Sequence, residues 1–237
     1  MNERSRAVTR PTLDAYRKKR RFDVTPEPAG EGAGRRRSRG ALAYVIQKHR
    51  ASHLHYDFRL EWAGMLLSWA VPKGPSLDPS VKRLAMRVED HPLEYAAFEG
   101  TIPKGEYGGG TVMVWDRGTW EPEQADVDAS LAKGDLKFAL HGRKLRGSWV
   151  LVRTRGFGGR GRSSWLLIKH RDAFASTRDV TETEAESVVS HRLLADIARA
   201  GGGDVDRAAT GDPRARPSRA RRPTRPAVTA RPRKRRP

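Results

Sequence analysis

The stretch His49 to Leu60 reads HRASHLHYDFRL, and its second half, His55-Tyr56-Asp57-Phe58-Arg59-Leu60, alternates strictly between polar and apolar side chains. A period of two is that of a β-strand, so His55, Asp57 and Arg59 share one face while Tyr56, Phe58 and Leu60 share the other. The second face fits a core, and the first lines up an imidazole, a carboxylate and a guanidinium. Just upstream, Gln47 and His49 share a face of the preceding run in the same way. If the two runs pair, His49 joins His55 and Asp57. Two imidazoles and one carboxylate suit Mn²⁺, Fe²⁺ or Zn²⁺ and leave positions open for water or substrate. The competing interpretation is a polar row on the solvent side of an antiparallel strand. The surrounding cations tell against it: Arg59, Lys73, Arg83, Arg87 and His91 fall within the next strands and turns, and a metal among cations suits a phosphate. His91, before Pro92, reads either as a loop histidine or as a phosphate donor or general acid, because imidazole titrates near neutral pH.

Outward from this stretch, short β-rich runs recur: Ala43–Ile46, Val112–Trp115, Trp149–Val152 and Trp165–Ile168. Gly and Pro punctuate them, as in PKGPSLDPS, IPKGEYGGG, WDRGTW and FGGRGRSS. Such spacing predicts a mainly β fold class, an antiparallel barrel or sandwich with a few flanking helices, and the compact antiparallel β-barrel is the choice that the family resemblance described below implies. The six tryptophans read as core and strand residues, Tyr95 as core, and Gly108-Gly109-Gly110 as a hairpin turn. The apolar stripe Val188, Val189, Leu193, Leu194 and Ile197 predicts a helix over Glu182–Ala200, ended by Gly201-Gly202-Gly203. A shorter helix is expected over Asp126–Ala132.

The charge lies at the ends. The chain of 237 residues carries a net +19. Residues 201–237 hold 12 Lys/Arg against 3 Asp/Glu and residues 1–40 hold 12 against 5, which leaves only +3 for the middle. Three segments follow: 1–40, a basic N-terminal arm and linker; 41–200, a β-barrel domain with a C-terminal helix; and 201–237, an Arg/Pro-rich basic tail without the large apolar residues that ordering requires, read as disordered. Gly30–Gly40 (GEGAGRRRSRG) reads as the linker. So basic a chain points to a polyanion, nucleic acid or an anionic membrane surface. No apolar run approaches the roughly 18 residues of a spanning helix, and MNERSRAVTR lacks the apolar stretch of a secretory signal. Nucleic acid is therefore the expected partner, no membrane is expected, and the cytoplasm, with nucleoid association, is the expected address. The absence of cysteine excludes disulfides, thiolate zinc sites and thiol catalysis. A monomer is expected.

Several ordered motifs together resemble the 3′-phosphoesterase domain of bacterial DNA ligase D. They are His49-x5-His55-Tyr56-Asp57-Phe58-Arg59-Leu60-Glu61, Ser68-Trp69-Ala70-Val71-Pro72-Lys73-Gly74-Pro75, Glu89-Asp90-His91-Pro92-Leu93-x-Tyr95, and Phe98-Glu99-Gly100-x-Ile102-Pro103-x-Gly105-Glu106-Tyr107-Gly108. The likeness runs from about Tyr16 to Arg192. It implies a β-barrel that removes 3′-phosphates and 3′-terminal ribonucleotides from DNA ends with Mn²⁺, or another divalent transition metal, in nonhomologous end joining beside Ku and a separate DNA ligase. It implies His49, His55 and Asp57 as metal ligands and Arg59 and His91 as holders of the scissile phosphate. Gln47, Lys73, Arg83, Glu89, Tyr95, Arg20 and Glu27 would support them. The arm departs at Arg21, where the resemblance calls for an acidic residue, and that weakens the expectation of ribonucleotide removal more than that of phosphate removal. Ser187–Arg192 resembles the stretch leading towards the ligase domain; here a basic tail follows, so a stand-alone phosphoesterase is expected. Two other classes compete: a non-catalytic DNA-binding module of the same fold, and a non-haem iron oxygenase, which also uses two histidines and a carboxylate.

Overall fold

A computed structural model of the chain describes residues 12–30, 40–154 and 164–213. Nine strands follow in chain order: β1 Leu42–Arg50, β2 Leu54–Trp62, β3 Met65–Val71, β4 Arg83–Arg87, β5 Gly100–Ile102, β6 Gly110–Pro122, β7 Asp135–Gly142, β8 Arg146–Arg153 and β9 Ser164–Lys169. Eight of them close a ring in the order β1-β2-β3-β4-β9-β8-β7-β6, sealed by β6 against β1, and β5 lies on the start of β6. Closure leaves the ring no unpaired edge. The predicted barrel is therefore present, and each of the four β-rich runs lies within a strand.

Alternation along the strands sorts side chains between two apolar layers. Tyr44, Ile46, Tyr56, Phe58, Leu60 and Trp69 point into the barrel with most of the other buried aromatics. Trp69, Trp115, Trp120, Trp149 and Trp165 are all buried, as expected of core residues. The opposite parity gives an outer layer of Tyr16, Val45, Leu66, Tyr95, Val114 and Val188. The register between β1 and β6 slips at Ile46/Gln47, leaving Trp115 as the extra residue of a bulge. Such bulges sharpen the local bend of a sheet, and this one adjoins Gln47 and His49.

Five helices lie among the described residues: α1 Asp14–Lys18, α2 Val127–Lys133, α3 Val180–Thr183, α4 Leu194–Ala200 and α5 Val205–Ala209. The expected short helix is α2, capped by the Asp126 carboxylate on Ala129 N and ended by left-handed Gly134. The expected continuous helix over 182–200 is not formed. Between α3 and α4 the Ser187 hydroxyl accepts from Val189 N and Ser190 N. Val188 N donates to Val114 O of β6 instead of to a helical carbonyl, and His191 takes a left-handed φ of 57°. The apolar residues that suggested one stripe serve different surfaces: Val188 packs in the outer layer, whereas Leu194 and Ile197 pack in the barrel core.

Two segment boundaries also move. Residues 12–30 of the arm fold against the barrel, with Tyr16 wholly buried. At the other end, residues 201–213, assigned to the tail from sequence, form α5 and pack Ala208 into the core. The Asp212 carboxylate accepts from Leu194 N and Ala195 N, both at 2.9 Å, and so satisfies the start of α4 from 18 residues away. The rest of the expected tail and residues 31–39 of the linker lie outside the described residues. Asp212→Ala is expected to cost about 1 kcal/mol, a fall in Tm of about 2–4 °C by calorimetry. Truncation after Ala200 is expected to cost more, because it also removes Ala208. An unchanged Tm for both variants would show that this segment does not support the barrel.

Candidate active site

The polar faces of β1 and β2 lie on the outside of the barrel wall, yet they are buried. In register, Gln47 sits opposite Asp57 and His49 opposite His55, so the pairing anticipated from alternation brings these side chains together. The arm and residues 88–108 cover this face. Segment 88–91 is held to β3 by Val88 N→Ser68 O, Leu66 N→His91 O and His91 N→Leu66 O, at 2.8–3.0 Å. A cavity of about 290 Å³ remains, lined by Arg20, His49, His55, Asp57, Arg59 and His91 among others.

Asp57 is the hub. Its Oδ2 lies 3.6 Å from His49 Nδ1, 3.7 Å from His55 Nε2 and 3.2 Å from Arg59 Nη2. Burial alone would raise its pKa, but the Arg59 guanidinium and the two imidazoles outweigh this and hold the carboxyl well below the usual range. The outward nitrogens of both histidines face carbonyls: His49 Nε2 donates to Gly108 O at 2.8 Å and His55 Nδ1 to His53 O at 3.1 Å. A neutral imidazole that donates through one nitrogen presents a lone pair at the other. Both lone pairs then face Asp57, and the three donor atoms lie within 4.8 Å of one another. Backbone carbonyls fixing ligand tautomers are the usual support of a metal-binding histidine. The residues present therefore fit a divalent ion held by His49 Nδ1, His55 Nε2 and the Asp57 carboxylate.

Beside this triad Arg59 is 2% exposed and tied on every side. Its Nε donates to Gln47 Oε1 at 2.9 Å and its Nη1 to Ser68 Oγ at 2.8 Å; Nη1 also lies 2.9 Å from His91 Nδ1. Gln47 is fixed in turn, its Nε2 donating to Tyr95 O and Phe98 O at the short helical turn Leu93–Ala97. His91 lies between two guanidiniums, with Arg20 Nη2 3.2 Å from its Nε2. Burial, then Arg59 and Arg20, push its pKa well down, so the ring is neutral at neutral pH. Donation from Nδ1 to Glu89 O at 2.9 Å leaves Nε2 to accept from Arg20. Arg20 is carried by the arm. Its Nε meets Glu27 Oε1 at 2.8 Å, its Nη1 meets Glu89 Oε1 at 3.4 Å, and its guanidinium stacks 3.9 Å from the Tyr16 ring centroid. Tyr95 donates its hydroxyl to Glu27 Oε1 at 2.9 Å, and burial followed by Glu27 raises its pKa.

Of the twelve residues expected here, eight line the cavity and two more, Gln47 and Glu27, bond directly to residues that line it. Lys73 and Arg83 do not line the cavity. Lys73 is exposed beyond the end of β3, and Arg83 starts β4 two positions from inward-facing Ala85, with its Nε buried and unpartnered. Arg87, noted as a nearby cation, instead stacks over Trp69 and pairs with Asp90 at 2.5 Å. Ser68, Tyr16, Lys19, Glu106 and Tyr107 received no role from sequence. Ser68 carried a readable signal, as a lone hydroxyl among the apolar residues of β3, in register with Arg59. Lys19 Nζ bonds to Glu89 Oε2 at 3.0 Å and to the Tyr107 hydroxyl at 3.1 Å, while Arg21 pairs with Glu106. These contacts join the arm to the loop between β5 and β6, whose Gly108 supplies the carbonyl on His49.

The closed antiparallel barrel thus carries, on its outer wall, a His/His/Asp triad that fits a divalent ion, beside the buried Arg20 and Arg59. Residues 47–153 match the family described as the DNA Ligase D 3′-phosphoesterase domain. The chain carries that domain over these residues. It is similar to the multifunctional non-homologous end joining protein LigD of Pseudomonas aeruginosa, 55% identical over 185 residues, which cover 77% of this chain and 22% of that protein. The LigD proteins of Mycobacterium tuberculosis and Mycolicibacterium smegmatis are 46% and 40% identical over 61% and 68% of this chain, or 18% and 21% of theirs. The chain thus spans about a fifth of the length of these relatives. Among the described residues no helix is long and apolar enough to cross a membrane.

Proposed function

We propose that this protein hydrolyses phosphate monoesters at the 3′ ends of DNA strands, with Mn²⁺ as its metal, and thereby prepares broken ends for nonhomologous end joining. The observation that carries the reading is the triad of His49, His55 and Asp57 set against Arg59 in one small cavity. A bound divalent ion would supply Lewis-acid neutralisation of phosphoryl oxygens and ease deprotonation of the attacking water. In the reaction, water attacks phosphorus, the bond to O3′ breaks, and its electron pair leaves on O3′ as that oxygen is protonated. The products are a 3′-hydroxyl and inorganic phosphate.

The chain's own side chains bind and orient the phosphate. Arg59 offers a planar donor face already fixed by Gln47 and Ser68, so little entropy is lost when a phosphate meets it. Arg20 extends that donor surface, and His91 orients it by accepting at Nε2. Arg20 reaches the site only because Glu27 and Glu89 position it, which gives the arm a part in the chemistry. Lys73 and Arg83, outside the cavity, act on DNA beyond the scissile group. Removal of a 3′-terminal ribonucleotide is the secondary activity. Arg21 points away to Glu106, 68% exposed, so the arm contributes no acidic side chain at this position. The partners are Ku and a separate DNA ligase, and the protein acts as a monomer.

The test is a labelled primer-template ending in 3′-phosphate. Phosphate release is expected with Mn²⁺, and ribonucleotide removal from a matched substrate is expected to be slower. No phosphate release with any divalent transition metal would refute the proposal.

A further inference from the structure

Next to the triad cavity lies a larger groove of about 760 Å³. Its walls are the loop between β5 and β6 on one side and the turn from Gly201 to Asp204 on the other. The two cavities share Ala51, Ser52, Ile102 and Gly108, so the groove opens directly onto the triad.

Its lining holds three cations and two carboxylates. Arg50, Lys104 and Arg207 line it. Arg50 donates to Thr210 Oγ1 and to the carbonyls of Ala51 and Ser52, and Arg207 to Ala51 O. These are neutral acceptors. Among the described residues no carboxylate lies in ion-pair range of any of the three cations. Both carboxylates that line the groove are engaged elsewhere: Glu106 pairs with Arg21, and Asp204 caps α5 through Arg207 N. The turn that forms the far wall is tightly seated, since a Cβ at Gly203 would stand 2.7 Å from Thr101 Oγ1.

We propose that this groove holds the sugar–phosphate backbone of the strand whose 3′ end is being processed, with the nucleotides before the terminus passing over Ser52 and Gly108 and then alongside Lys104. The inference rests on the function proposed above and adds a location for the strand. A run of phosphates matches a row of cations lacking anionic partners, and a strand entering here delivers its terminal phosphate to Arg59 without displacing the arm. It also gives residues 201–213 a role, as one wall of a nucleic-acid channel.

The test compares the full chain with Lys104→Gln and Lys104→Glu, and with Lys137→Gln on the exposed face of β7 as a surface control. The substrates are a 3′-phosphorylated dinucleotide and a 3′-phosphorylated single strand of about ten nucleotides. Lys104→Gln is expected to raise KM for the longer strand several-fold, and Lys104→Glu more, with kcat and all dinucleotide kinetics unchanged. Loss of one phosphate contact is expected to flatten the salt dependence of log K by about 0.7, with no change for Lys137→Gln. Gly202→Asp, at a left-handed φ of 66° where a Cβ meets open space, is expected to act like Lys104→Glu. Unchanged KM and salt slope in the Lys104 variants would overturn the groove assignment, as would equal effects on both substrates. Failure of the unaltered protein to act on either substrate would instead refute the proposed function.

Discussion

Substituting Asp57 with Asn is expected to abolish phosphate release, as are His49→Ala, His55→Ala and excess chelator with the unaltered protein. The reason is positional. Among the described residues, Asp57 Oδ2 is the one carboxylate oxygen within 4 Å of both imidazole donors and of Arg59. Asn keeps the shape and loses the charge, so an ion on the two imidazoles alone would be weakly held. Stability must be followed alongside activity, because removing one member of a buried ion pair costs about 3–5 kcal/mol. Here Gln47 and Ser68 still hold Arg59, so the fold is expected to survive with a lowered Tm. The informative set is therefore three measurements on each variant: phosphate release, circular dichroism on heating, and Mn²⁺ binding by electron paramagnetic resonance. Loss of activity together with loss of Mn²⁺ binding in a folded variant is the expected pattern. Full turnover of the unaltered protein in excess chelator would overturn the metal assignment.

Much of this site was legible because a strand has a period of two. Alternation in His55–Leu60 predicted which side chains face together, and the pairing of Gln47 with Asp57 and of His49 with His55 needed only the assumption that neighbouring strands pair. Alternation does not say which face is buried. Both are: the apolar residues inside the barrel, and the polar ones beneath an arm whose docking depends on contacts about 70 residues distant in sequence, such as Arg20 with His91 and Tyr95 with Glu27. The backbone carbonyls of Gly108 and His53, which orient the two histidines, leave no trace in residue identity.

The misread helix has a different cause. Val188 and Leu194 are spaced as a stripe would require, but a hydroxyl at Ser187 competes for backbone amides, and β6 captures Val188 N. Local period was outweighed by tertiary pairing. The tail boundary failed for a related reason. Composition marked residues 201–213 as unable to bury much surface, yet Ala208 and the Asp212 carboxylate suffice where the barrel already provides α4 to dock on.

Arg59→Lys is expected to lower turnover by about 10²–10³-fold, the usual cost of removing one fixed donor from a developing anion, while leaving Mn²⁺ binding intact. Arg59 spends Nε on Gln47, Nη1 on Ser68 and Nη2 on Asp57, and its guanidinium lines the cavity. A lysine ammonium is a single point on a flexible stem and cannot serve Gln47, Ser68 and Asp57 while also meeting a phosphate. It keeps the positive charge, so Asp57 remains ionised and the three metal donors stay in place. Arg59→Lys thus separates phosphate orientation from metal binding, which the Asp57 and histidine variants do not. The measurement is kcat on a 3′-phosphorylated primer beside a Mn²⁺ titration of the same preparation. Near-normal kcat would show that charge alone matters at this position, or that Arg59 serves the packing of β1, β2 and β3 and never touches substrate. Loss of Mn²⁺ binding together with kcat would show that the arginine acts by holding Asp57 in place, a positioning role distinct from the phosphate contact proposed here.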